Sequence, residues 1–118
     1  TRENRSPEGA RYADVGNNAR FAARKTEEVY DVVEELTPVA RDKGVTLAQF
    51  ALAWCMQQPG ITSPIIGPRT MEQLEDNLGA LSVEVSSEDR AAVDALVPPG
   101  RMASPFYEAD FGPHKYRW

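Results

Sequence analysis

Cysteine and histidine are nearly absent from this 118-residue sequence, which holds one of each, Cys55 and His114. A single cysteine cannot form an intrachain disulfide, and it excludes a zinc site that needs two cysteines. We interpret the lone thiol as typical of a reducing compartment and predict a cytoplasmic protein. A lone histidine in an aromatic segment is more often a packing or surface residue than a catalyst.

Long hydrophobic runs and excess positive charge are also missing. No apolar stretch approaches the ~18–20 residues that cross a bilayer, and residues 1–9 lack the apolar centre of a signal peptide. The net charge of −5 argues against nucleic acid as a partner, because phosphate neutralisation needs a basic face. With 42% hydrophobic and 26% charged residues, the composition is that of one ordinary globular domain at most.

The sequence divides into a polar N-terminal stretch, a helical middle and an aromatic tail. Residues 1–19 are rich in turn formers and are predicted to be an exposed loop. Because the chain starts in such a loop and without Met, we expect a fragment or a processed chain. Residues 20–100 carry the helical patterns, and residues 101–118 are predicted to dock as an irregular tail.

The first and last predicted helices follow from apolar periodicity and stop signals. Apolar residues recur at three- and four-residue steps from Val29 to Ala40, which indicates one buried stripe. Pro38 is expected to kink or restart this helix, since it lacks an N–H, and Gly44 is expected to end it. The last helix should begin at residues 86–89 and turn three side chains inward: Val93, Leu96 and Val97.

Two further helices are predicted to begin with capping boxes. In each, a threonine hydroxyl accepts from a free backbone N–H while a glutamine three residues later reaches back. The pairs are Thr46 with Gln49 and Thr70 with Gln73. The helix after Thr70 is predicted to bury an apolar face made of Met71, Leu74, Leu78 and Leu81.

A short apolar run at residues 61–66 is bounded by turn residues and predicts a buried strand. A single strand leaves unpaired N–H and C=O groups on both edges, which are costly when buried. Either the run is a loop in an all-helical protein, or it belongs to a sheet whose other strands lie elsewhere. The second alternative again indicates a fragment or an obligate partner.

The turn after this run has features of a phosphate site. Gly67 would let the backbone approach a ligand, N–H groups at the next helix start attract anions, and the Arg69 guanidinium matches phosphate oxygens. The alternatives are that Arg69 is a solvated charge, that Thr70 and Gln73 only cap, and that Asn77 is exposed and neutral. No carboxylate pair, nucleophile–base set or metal-ligand cluster stands out, so no catalytic or metal-binding residue is predicted.

Residues 65–78, IIGPRTMEQLEDNL, closely resemble the aldo-keto reductase family. Residues 44–54 resemble the penultimate helix region of that family, and residues 106–114 are similar to tails of bacterial members. The resemblance, which covers roughly residue 20 to the end, implies an α/β fold, the (β/α)₈ barrel. Such barrels span about 250 residues or more. The chain would therefore be a C-terminal barrel segment, mostly helical with one short strand.

The resemblance also implies an NADPH site that this segment completes. Arg69 and Thr70 match the residues that hold the adenosine 2′-phosphate, and Asp76 and Asn77 match the pair at the adenine edge or ribose side. Gln73 stands where the family often has arginine, so one cation near the phosphate is lost. The implied cofactor-binding set is Gly67, Pro68, Arg69, Thr70, Gln73, Asp76 and Asn77.

The catalytic Asp, Tyr, Lys and His of the family lie on earlier strands and have no counterpart in this chain. The resemblance implies hydride transfer from the nicotinamide to a small carbonyl substrate, with tyrosine supplying the proton. The chain alone is therefore expected to be inactive and to need the missing barrel strands. The alternative is a non-catalytic helical interaction module, derived from the family, that pairs through exposed apolar faces.

Overall fold

The computed structural model describes residue 3 and residues 25–104. The predicted N-terminal loop and most of the predicted tail therefore lie outside the described residues. Within residues 25–104, four helices and a 3₁₀ turn follow one another: α1 (Glu27–Asp42), α2 (Leu47–Met56), α3 (Met71–Gly79), the turn Ala80–Ser82, and α4 (Ser87–Leu96). The chain forms two compact units, one of Thr1–Glu34 with Val97–Trp118 and one of Glu35–Leu96, here called the helical unit.

Within the first unit, two polar contacts link the start of α1 to the residues after α4. The Thr26 hydroxyl donates to the Ala103 carbonyl at 3.2 Å, and Arg101 pairs with Glu28 at 2.8 Å. Both partners of the ion pair are largely exposed, and such surface pairs contribute little to stability.

The sequence predicts that Pro38 either kinks or restarts helix α1. The helix continues through Pro38, so it does not restart there. The helix ends as predicted at Gly44, which has a φ of 73°. The Gly44 N–H donates to the Arg41 carbonyl at 2.8 Å, and the Val45 N–H donates to the Ala40 carbonyl at 3.1 Å. This pair of bonds is the Schellman motif, which favours glycine because the left-handed position strains other residues.

Helix α2 begins with the predicted capping box and supplies the core of the helical unit. The Gln49 N–H donates to the Thr46 hydroxyl at 3.1 Å, and the Thr46 N–H donates to Gln49 Oε1 at 3.2 Å. Phe50 and Ala53 of this helix are completely buried. Ala53 forms the core cluster with Val83 and Val85.

The Gln57 side chain holds the extended residues after the 3₁₀ turn against the end of α2. Its Nε2 donates to the Val83 carbonyl at 2.7 Å, and its Oε1 accepts from the Val85 N–H at 3.1 Å. One carboxamide therefore satisfies the backbone groups that a neighbouring strand would otherwise pair.

The predicted buried strand is wrong for this chain. Residues 61–68 have no strand assignment, and Ile65 is fully exposed. A strand needs a neighbour to pair its backbone groups, and no second strand lies within residues 25–104. The apolar run is therefore an extended connection between α2 and α3.

The predicted burial of the α3 face is also largely wrong. Met71, Leu78 and Leu81 are 67%, 50% and 72% exposed, and only Leu74 of the predicted four is half-buried. The periodicity is present, but no other layer covers that face in the described part of the chain. Helix α4 agrees better with its prediction, since all three of its predicted inward residues are half-buried.

The start of α4 is fixed by a carboxylate with several partners. The Asp89 N–H donates to the Ser86 hydroxyl at 3.2 Å, and Asp89 Oδ2 accepts from the Ser86 N–H and from Lys43 Nζ, each at 2.7 Å. Burial raises the pKa of Asp89, but the hydrogen bonds from Lys43 and Ser86 outweigh it and hold that pKa below its ordinary value. The ionised form of Asp89 therefore stabilises the helical unit.

We expect Asp89→Asn to lower the free energy of unfolding at pH 7 by about 1–3 kcal/mol, because a charged hydrogen-bond acceptor is lost. Since folding lowers this pKa, the stabilisation is present above the unfolded-state value of about 3.9 and is lost as the pH falls through the folded value. Urea unfolding between pH 3 and pH 7 measures both effects. The control is Asp42→Asn, which removes the exposed pair with Arg41 and should change little. Equal losses of unfolding free energy in both variants would contradict the stabilising role of the Asp89 carboxylate.

Candidate functional site

An open depression of about 460 Å³ lies on the helical unit between α2 and the start of α3. Helix α2 contributes small and apolar side chains to it, Ala48, Ala51 and Leu52. The connection and α3 contribute Ile65, Ile66, Gly67, Pro68, Gln73, Asp76 and Asn77. The structure thus brings together five of the seven residues predicted to bind a cofactor, which are Gly67, Pro68, Gln73, Asp76 and Asn77.

The other two predicted residues, Arg69 and Thr70, do not line the depression but follow Pro68 directly in the chain. Both are exposed, and Thr70 is the N-cap of α3, where its hydroxyl accepts from the Gln73 N–H at 3.2 Å. The second half of the predicted capping box differs, since Gln73 Oε1 accepts from the Arg69 N–H at 2.7 Å. Gln73 therefore pairs with the N–H of Arg69, one residue before the Thr70 N–H that the predicted capping box would pair.

Gly67 is surrounded by open space. A Cβ at this position would meet no atom within 4 Å, and the backbone does not adopt a positive φ. Neither packing nor conformation in the described part of the chain requires glycine here. The turn leaves room for a ligand to approach the backbone closely.

Asp76 is joined to the start of α2 by bonds that sequence reasoning missed. The Thr46 hydroxyl donates to its carboxylate, 3.2 Å from Oδ1 and 3.3 Å from Oδ2, and Gln49 Nε2 donates to its backbone carbonyl at 3.0 Å. The neighbouring Asn77 is half-buried and lines both this depression and a smaller, more apolar hollow of about 150 Å³. The bonds span 27 to 30 residues of sequence, and a single sequence gives no signal for them.

The sequence on either side of the α3 start has a single cation, Arg69. Between residues 61 and 82 the sequence has three acidic residues, Glu72, Glu75 and Asp76, and one cation, Arg69. An anion near the start of α3 would also meet the positive end of the helix dipole.

A model of the Aldo/keto reductase family matches residues 1–98. The chain belongs to this family. Two curated relatives support the assignment: "Probable aldo-keto reductase 1" of Glycine max, 34% identical over 88 residues, and "L-glyceraldehyde 3-phosphate reductase" of Escherichia coli O157:H7, 32% identical over 99 residues.

These matches cover 75% and 81% of this chain but 25% and 29% of the relatives. The chain therefore spans less than a third of the length of either relative. The family implies the (β/α)₈ barrel, as the resemblance suggested. The described residues of this family member form helices but no strand. They also contain no helix long and apolar enough to cross a membrane.

Proposed function

We propose that this chain is the C-terminal part of an NADPH-dependent aldo/keto reductase, in which it contacts the adenosine 2′-phosphate and the adenine during carbonyl reduction. The observation that carries the proposal is the shared depression, lined by five of the predicted residues and continued along the chain by Arg69 and Thr70. Both curated relatives are named as reductases, which supports the reaction class. The single exposed cysteine fits a cytoplasmic setting.

The side chains at the start of α3 suit a phosphate monoester. The Arg69 guanidinium offers a planar set of donors that matches two phosphate oxygens. The Thr70 oxygen accepts from Gln73, but its own proton can still donate to a third oxygen. Because Thr70 caps the helix, the phosphate would also lie at the positive end of the α3 dipole.

The depression itself suits a flat heteroaromatic ring. Ala48, Ala51 and Leu52 provide an apolar wall with little protruding bulk, and Pro68 contributes a further apolar surface. The Asn77 carboxamide has both donors and an acceptor, which matches the alternating edge of adenine. These residues bind and orient the nucleotide.

The cofactor, when bound, supplies hydride to a carbonyl carbon. The segment's own residues hold the distant adenosine end of the cofactor. We propose that the catalytic residues and most of the wall around a small carbonyl substrate come from barrel strands outside this chain. On this account the chain alone is inactive.

A chimera tests the proposal directly. In it, this chain replaces the matching stretch of the Glycine max relative, which supplies the rest of the barrel. We expect the chimera to bind NADPH, as measured by fluorescence titration, whereas the chain alone binds weakly or not at all. A chimera with the circular dichroism of a folded barrel but no NADPH binding would contradict the proposal.

Gln73→Arg should tighten NADPH binding to the chimera by about 2- to 5-fold and leave NADH unchanged, because it adds an exposed cation one turn from Arg69. The lost bond to the Arg69 N–H costs little, since water can reach that exposed group. Gln58→Arg, which makes the same change away from the depression, is the control. Equal tightening of NADPH and NADH by Gln73→Arg would show that the added charge does not meet the 2′-phosphate.

A non-catalytic interaction module remains the alternative, favoured by the exposed apolar side chains of the helical unit, among them Ile65, Met71 and Leu81. Sedimentation and circular dichroism of the 118-residue chain separate the two functions. A compact monomer that melts cooperatively would favour the module. A loosely folded or aggregating chain would favour the barrel segment, because the apolar face of the helical unit would then lack the barrel strands that bury it.

A further inference from the structure

Gln49 uses both ends of its side-chain amide. Its Oε1 accepts from the Thr46 N–H at 3.2 Å and closes the cap of α2, while its Nε2 donates to the Asp76 carbonyl of α3 at 3.0 Å. We call these two bonds the Gln49 bridge. A side chain that is needed only for capping would leave its amide donor to water.

The Asp76 carbonyl lies in the last turn of α3, next to the point where the helix tightens. The Ala80 N–H donates to the Asn77 carbonyl, in the three-residue step of a 3₁₀ turn. Gln49 Nε2 gives the Asp76 carbonyl a donor from outside α3.

The Thr46 hydroxyl adds a second link to the same residue. It accepts from the Gln49 N–H at 3.1 Å and donates to the Asp76 carboxylate at 3.2 Å. The Asp76 charge thus lies near the N-terminus of α2, where the helix dipole favours an anion. Main chain and side chain of Asp76 are both fastened to the first turn of α2.

Gly79 makes room for the bridge. A Cβ at this position would lie 3.1 Å from Gln49 Cδ and closer still to Nε2, so any larger residue would displace the Gln49 side chain. Glycine is otherwise the least favourable residue in a helix after proline. The close approach of Gln49 gives a physical reason for it here.

We propose that Gln49 is a positioning residue of the nucleotide site, an inference that rests on the proposed function. Asp76 and Asn77 of α3 line the depression together with Ala48 and Ala51 of α2. The Gln49 bridge fixes the distance between these two walls. Without it, the adenine side of the site shifts, while the 2′-phosphate contacts at the start of α3 keep their chemistry.

Gln49→Glu separates positioning from capping. Glutamate still accepts from the Thr46 N–H, as in the usual capping box, but it cannot donate to the Asp76 carbonyl and repels it. In the chimera we expect the affinities for NADPH and NADH to fall together by about 3- to 10-fold, with kcat at saturating cofactor unchanged. Hydrogen exchange of residues 71–79 without nucleotide should become faster.

Gly79→Ala is the second variant and should give the same result by displacing Gln49, although alanine favours the helix. Gln58→Glu makes the same chemical change at the other end of α2, where only a bond to the Trp54 carbonyl is lost. Asp89→Asn lowers stability at a distance from the depression. Neither control should change cofactor affinity.

The outcomes separate the two proposals. Unchanged exchange of residues 71–79 in both Gln49→Glu and Gly79→Ala would overturn the bridge. Faster exchange with unchanged affinity, or an equal loss of affinity in Asp89→Asn, would overturn the positioning role. If the unsubstituted chimera binds no nucleotide while exchange still rises in the variants, the proposed function fails and the positioning role with it, and only the structural contact stands.

Discussion

Phe50→Ala is expected to lower the free energy of unfolding by about 3–5 kcal/mol, the usual cost of emptying a buried aromatic site. Phe50 is 1% exposed and is the largest fully buried side chain in the described part of the chain. It lies on α2 between Gln49, which binds α3, and Ala51, which lines the depression. Loss of its packing should therefore weaken both the fold and the candidate site.

Urea unfolding of the chimera measures this effect. Phe50→Leu, which removes less volume, should cost about 1–2 kcal/mol. Glu35→Ala, on the exposed face of α1, should stay within about 0.5 kcal/mol of the unsubstituted protein. A loss below about 1 kcal/mol for Phe50→Ala would mean that Phe50 is not packed as described.

Arg69→Ala is expected to weaken NADPH binding to the chimera by about 10- to 100-fold, the range for losing hydrogen bonds to a charged group. NADH, which lacks the 2′-phosphate, should change by less than about 3-fold. The selective effect follows from local charge, because Arg69 is the one cation between residues 61 and 82 and three carboxylates accompany it. Fluorescence titration with each cofactor gives the two dissociation constants.

Two further variants define what Arg69 contributes. Arg69→Lys keeps the charge but loses the planar pair of donors. Its NADPH affinity should lie between those of the unsubstituted protein and Arg69→Ala. Arg41→Ala removes an exposed arginine at the end of α1 and should leave both cofactors unaffected. Equal weakening of NADPH and NADH by Arg69→Ala would contradict a role at the 2′-phosphate.

Local signals in the sequence were sufficient for the helical segments and for several of their ends. The capping box of Thr46 and Gln49, the N-cap at Thr70 and the glycine stop at Gly44 were all predicted, because each depends on residues within one turn. The residues of the candidate site come from the family resemblance, and their role in cofactor binding stays a prediction. Five of its residues fall within eleven positions of one turn and helix, so folding α3 brings most of them to one surface.

The remaining features depend on contacts between distant residues. The run at residues 61–66 has the composition of a strand, but composition cannot supply the neighbour that a strand needs. Helix α3 likewise has the predicted apolar periodicity, but most of its apolar face is exposed. The Gln49 bridge was missed because Gln49 was already explained by capping, and its second bond reaches 27 residues along the chain.

Adenosine fragments test, without the rest of the cofactor, whether this segment recognises the phosphate on the adenosine ribose. Adenosine 2′,5′-bisphosphate and adenosine 5′-phosphate are titrated into the chimera and into its Arg69→Ala variant. We expect the bisphosphate to bind the chimera at least about 10-fold more tightly than the monophosphate, and we expect this preference to disappear in the variant. Equal affinities for the two fragments, or a preference that survives without Arg69, would contradict it.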